Sequence, residues 1–77
     1  MTPADELRAA ADKLRTWVVA EPPADWAPTA VTAFGPALAD WLTEYAASLD
    51  KATHPEWQET VAPRPLAVAR AILGGAR

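Results

Sequence analysis

The stretch Pro3-Ala4-Asp5-Glu6-Leu7-Arg8-Ala9-Ala10-Ala11-Asp12-Lys13-Leu14-Arg15-Thr16-Trp17-Val18 decides the fold class. Leu7, Ala10, Ala11, Leu14, Trp17 and Val18 recur at the three-and-four spacing of one helical face, while Asp5, Arg8, Asp12 and Arg15 fall on the other. Thr2 stands where a hydroxyl caps a free N–H, and Pro3 at the first helical position loses nothing by lacking a donor. Asp5-Glu6-Leu7-Arg8 is echoed seven residues later by Asp12-Lys13-Leu14-Arg15, which sets opposite charges three and four apart. Two heptads are too few for a coiled coil. The periodicity predicts an amphipathic helix over about 3–20, ended by Glu21-Pro22-Pro23, whose rings clash with a preceding helical turn.

Downstream, Pro22, Pro23 and Pro28 surround Trp26 and read as a stiff connector over residues 21–29. Thr29 to Phe34 suits a short helical turn, and Gly35-Pro36 restarts the chain. A second long helix is expected at about 36–51, burying Leu38, Trp41, Leu42, Tyr45 and Leu49 and turning Asp40, Glu44 and Lys51 outward. Thr53-His54-Pro55-Glu56 has the form of a capping box that opens a short helix at 54–60. Pro63-Arg64-Pro65 launches a last helix at about 65–74, with Leu66, Ala69, Ile72 and Leu73 on its apolar face and Gly74-Gly75 closing it. No strand pattern is present. The expectation is one all-α domain over residues 1–77, a small bundle of three main helices with one or two short helical turns.

Segments from the beginning, middle and end of the chain resemble those of small helical proteins of streptomycetes, related actinobacteria and their phages. They are Thr2 to Arg15, Ala37-Leu38-Ala39-Asp40-Trp41-Leu42, and Leu66-Ala67-Val68-Ala69-Arg70-Ala71-Ile72-Leu73-Gly74-Gly75, together about half the chain. Comparable members often carry cysteine and histidine between the middle and final segments, where this chain has only His54. The resemblance implies a compact α-helical protein in an actinobacterial or phage setting. It implies no activity.

Composition narrows the functions. The 77 residues include 19 alanines but only 20 larger apolar side chains, so the core must be thin. Chains of this length bury a smaller share of their surface than larger domains do and commonly recruit disulfides, metals or a partner. With no cysteine and one histidine, self-association into a homodimer is the expected remedy. The net charge of −3 gives no field that seeks nucleic acid. All ten acidic residues precede residue 61, whereas Arg64, Arg70 and Arg77 follow it without an acid. That basic end either complements helix dipoles or touches an acidic or phosphate-bearing partner. The chain lacks the positive start and apolar run of a secretory signal and has no membrane-length apolar stretch, so a soluble cytoplasmic protein is expected.

Catalytic constellations are weak. Ser48, the single serine, lies six residues before His54 across an expected helix end, so no nucleophile–base pair can be read from spacing. His54, Glu56 and Glu59 make a poor metal set, and helix capping explains His54 and Glu56 better. Asp40 and Glu44 share a helix face, but nothing in the sequence suggests the burial that would perturb them. Gly35 stands alone and Gly74-Gly75 follow a helix, so no phosphate loop exists. For helix-turn-helix recognition the chain offers no asparagine and only Gln58. No enzyme, cofactor or metal is therefore expected.

The four tryptophans are the informative feature. Trp17 and Trp41 are in phase with the leucines of their helices and read as core. Trp26 and Trp57 lie where periodicity gives no reason for burial; they are either lids over the bundle ends or anchors for a partner. The expected function is a non-enzymatic protein–protein interaction module, a phage or mobile-element accessory binding a host or bacterial protein, with Trp26, Trp57, Arg64 and Arg70 as partner-binding residues. The alternative is a small nucleic-acid-associated regulator using the basic C-terminal helix.

Overall fold

In the computed structural model the described residues are 2–20, 22, 24 and 26–74, and four α-helices contain 87% of them, with no strand. They are α1 (Pro3–Val19), α2 (Pro28–Ala52), α3 (Pro55–Val61) and α4 (Pro63–Gly74). Each begins at a proline, whose missing N–H is harmless in a first turn.

α1 is the axis of the fold and packs against each of the other helices. Its opening accounts for every backbone donor. Pro3 has none, Ala4 N–H donates to Gln58 Oε1 at 3.0 Å, Asp5 N–H to Thr2 Oγ1 at 3.2 Å, and Glu6 N–H to Thr2 O at 3.0 Å. Thr2 N–H donates in return to the Asp5 carboxylate at 3.2 Å, completing a capping box that holds the Asp5 pKa below its ordinary value. The expected face of α1 is the buried one: Ala4, Leu7, Ala10, Ala11, Leu14 and Trp17 are buried and Val18 packs against them. α4 likewise buries Leu66, Ala69 and Ile72, with Leu73 partly covered. Lys13 Nζ donates to Leu73 O at 3.2 Å, so α1 supplies the cation that the carbonyl end of α4 attracts.

α2 departs most from expectation. Instead of a turn at 29–34 and a helix from 36, one 25-residue helix runs through Gly35-Pro36. Proline disfavours helix in the preceding residue by striking its Cβ, and glycine has none. Gly35 is buried where α2 crosses α1: a Cβ there would lie 2.9 Å from Val18 Cγ2. At 1.5 Å per residue such a helix is about 37 Å long, which accounts for the molecule's 36 Å long dimension.

The buried face of α2 also differs. Val31, Gly35, Ala39, Leu42, Ala46 and Leu49 are buried, Leu38 and Tyr45 are half-buried, and Trp41 is exposed. Small residues alternating with leucine bring the backbone of α2 close to the similarly alternating Ala4, Leu7, Ala11 and Leu14 of α1. The two helices run antiparallel: Val18 meets Gly35, Arg15 bonds Asp40 and Thr43, and Arg8 pairs with Asp50. Seven of the fifteen buried hydrophobic residues are alanines, as a thin core requires.

At α3 the cap is His54, whose Nδ1 accepts from Glu56 N–H at 3.3 Å, rather than the Thr53 hydroxyl with a Glu56 carboxylate. A single residue, buried Ala62, separates α3 from α4, so the last helix starts at Pro63 rather than 65. Glu21, Pro23, Asp25, Gly75 and Arg77, to which the sequence assigned connector, closing and basic-tail roles, lie outside the described residues.

Candidate protein-binding groove

Trp41 and Tyr45 lie one turn apart on α2 and turn away from α1 because the alanine stripe has taken the inner face. Their rings meet edge to face, 5.9 Å between centroids and 72° between planes. Opposite them α3 ends at Thr60 and Val61, and the α3–α4 junction presents Pro63, Arg64 and Pro65. These seven residues line an open groove of about 610 Å³. Trp57 stands one helical turn before Val61 on α3, with 61% of its surface exposed, beside Val61 at 54% and Trp41 at 40%. Trp41 and Val61 thus line the groove and Trp57 projects one turn away on α3, while Val19 and Phe34 are exposed elsewhere on α1 and α2; exposed apolar side chains of this size mark association surfaces.

Among the described residues, Arg64 is the one ionisable side chain lining this groove apart from Tyr45, and no carboxylate pairs with it. The other described arginines are engaged. Arg8 pairs with Asp5 and Asp50, Arg15 with Asp12 and Asp40, and Arg70 with Glu6 at 3.2 Å and Glu59 at 2.7 Å. Hydrogen bonding to Glu6, and then to Glu59, raises the Arg70 pKa further above its usual range. Arg70 thus joins α4 to α1 and α3.

The four expected partner-binding residues consequently part company. Trp57 and Arg64 belong to the groove side. Arg70 is bound within the chain. Trp26 is half-buried and packs on Trp17, 5.1 Å between centroids at 49°, closing the end of the core beside the C-terminus of α1. The two tryptophans, for which the sequence left lid and anchor open, differ in setting: Trp26 covers the end of the core as a lid does, and Trp57 is exposed on α3. Trp41 and Tyr45, placed in the core by periodicity, form a wall of the groove: Trp41 is exposed, whereas Tyr45 is half-buried and still packs against the edge of the core. The signal for this was the competing stripe Gly35, Ala39, Leu42, Ala46, Leu49, which has the same periodicity with smaller residues.

The fully buried Gln58 has a structural role. Its Oε1 accepts from Ala4 N–H, and its Nε2 donates to Thr53 O at 3.2 Å, tying α3 to the start of α1 and the end of α2. Among the described residues, no group of three or more histidine or acidic side chains is disposed to hold a metal ion, and no helix is long and apolar enough to cross a membrane. No family model, curated protein or solved structure matches the chain.

Proposed function

We propose that the chain is a non-enzymatic protein-interaction module, in an actinobacterial or phage setting, that binds through the groove between Trp41, Tyr45 and Arg64. The observation that carries this reading is the juxtaposition of exposed aromatic side chains with one unpaired guanidinium. Aromatic and arginine side chains supply much of the binding energy at protein interfaces, and an arginine free of internal carboxylates retains its donors for a partner. The regulator reading has less support, because Arg70 is already shared by two carboxylates, which leaves Arg64 as the one unpaired arginine of α4 among the described residues to neutralise phosphate charge.

The test is affinity capture from an actinobacterial lysate with the tagged full chain, its Trp41→Ala variant and its Arg64→Glu variant. The expected result is one or more retained proteins, a second copy of the chain included, that both variants lose. A bait that retains nothing, or retains the same proteins after either substitution, overturns the reading.

A further inference from the structure

Resting on that reading, we propose that the groove's occupant is a second copy of this chain, with Glu56-Trp57 of each copy entering the groove of the other in a two-fold symmetric dimer. The groove asks for an apolar ring to lie against Trp41, Tyr45, Val61 and the prolines, with a carboxylate beside it to meet Arg64. Glu56-Trp57 offers that pair. The indole is the most exposed aromatic side chain of the described residues, and the adjoining Glu56 carboxylate is exposed and pairs with no cation among them. Arg64 lines the groove and has no ion-pair partner among the described residues, so the two charges satisfy one another across the interface, and the guanidinium can also stack on the entering indole.

Position makes the exchange reciprocal. Trp57 and Val61 are four apart on α3, so the projecting side chain and the edge of the groove lie one helical turn from each other on the same face. A two-fold interface requires this self-complementarity, in which each copy gives and receives the same contact and the assembly closes at two. The dimer also covers Trp41, Trp57 and Val61, which the alanine-rich core of one chain leaves in water.

Sedimentation equilibrium of the full chain tests the proposal, with circular dichroism confirming that each variant stays helical. The expected result is a dimer whose dissociation constant rises about thirtyfold or more in Trp57→Ala and about tenfold in Glu56→Arg or Arg64→Glu. In the doubly substituted chain carrying Glu56→Arg and Arg64→Glu, most of the affinity returns, because the pair is restored with its signs exchanged. A chain that remains monomeric at millimolar concentration overturns the proposal, as does a dimer indifferent to the charge reversals or one that the double reversal does not rescue. A monomer that still captures lysate proteins in an Arg64-dependent way leaves the interaction-module reading intact and removes only the second copy as occupant.

Discussion

Gln58 and Gly35 show how single side chains hold this small fold. Truncating Gln58 to alanine leaves Ala4 N–H and Thr53 O without their buried partner and opens a void among three helices. An unsatisfied buried polar group costs about 1–3 kcal/mol, and the void adds to it. Gln58→Ala is therefore expected to lower stability by about 3 kcal/mol in urea unfolding and to speed hydrogen exchange at Ala4; a loss under about 0.5 kcal/mol would contradict the assigned role. Gly35 has no positive φ and owes its place to the absence of a Cβ, which would meet both the Pro36 ring and Val18. Alanine there gains about 1 kcal/mol of helix propensity, but its Cβ strikes Val18 Cγ2 on a side chain with little rotamer freedom. Gly35→Ala is expected to destabilise by about 1 kcal/mol net. Combined with Val18→Ala it should show a favourable coupling of about 1 kcal/mol in a double-mutant cycle, and simple additivity would mean that the contact is unimportant.

At the scale of elements, Pro36 is the anomaly. As the ninth residue of α2 it withholds a hydrogen bond from Thr32 O within a continuous helix. Interior proline costs about 3 kcal/mol relative to alanine, and reducing the freedom of the unfolded chain returns up to about 1 kcal/mol. Pro36→Ala is thus expected to raise stability by about 2 kcal/mol, read as a higher urea midpoint with unchanged slope. A destabilised variant would show that the ring is needed where it borders Val18 and Val19 of α1. The extent of α1 and the buried face of α4 were legible from proline and periodicity, because these signals are local and the apolar stripes have no rival, whereas α4 starts two residues earlier than expected, at Pro63. α2 was misjudged on both counts. Gly35-Pro36 is punctuation in isolation, and a face rich in tryptophan and tyrosine outweighs an alanine stripe when hydrophobicity alone is compared.

For the whole molecule, stability and assembly are linked. If two copies close over the groove, unfolding must also separate them, so the melting temperature of the wild-type chain is expected to rise with protein concentration. The same dilution series on Trp57→Ala should give a constant melting temperature, and a flat series for both proteins would remove the coupling. The ion pairs Arg8–Asp50, Arg15–Asp40, Arg70–Glu6 and Arg70–Glu59 join the helices at the surface. Their larger effect is to set register and to occupy arginines, since exposed pairs add little stability in solvent. Of the proposed site, Trp57 and Arg64 were singled out by the sequence, and the structure leaves Trp57 exposed and places Arg64 on the groove lining. The walls that join them to Trp41 and Tyr45 were not legible, because residues 41 and 64 meet only once α2, α3 and α4 have folded around α1.

The amino-acid sequence alone determined an all-helical chain, the start of α1, the end of α4 and the faces they bury, since hydrogen-bond caps, proline geometry and helical periodicity act within a few residues. Tertiary structure decided that α2 continues through Pro36, that its alanine stripe rather than Trp41 fills the inner face, that Gln58 is consumed by the backbone, and that among the described residues Arg70 is paired while Arg64 is not. Each of those outcomes depends on how closely two helices approach across a gap in sequence. At α1 and α2 that distance is set by small side chains that permit contact, a property that counting hydrophobic residues does not register.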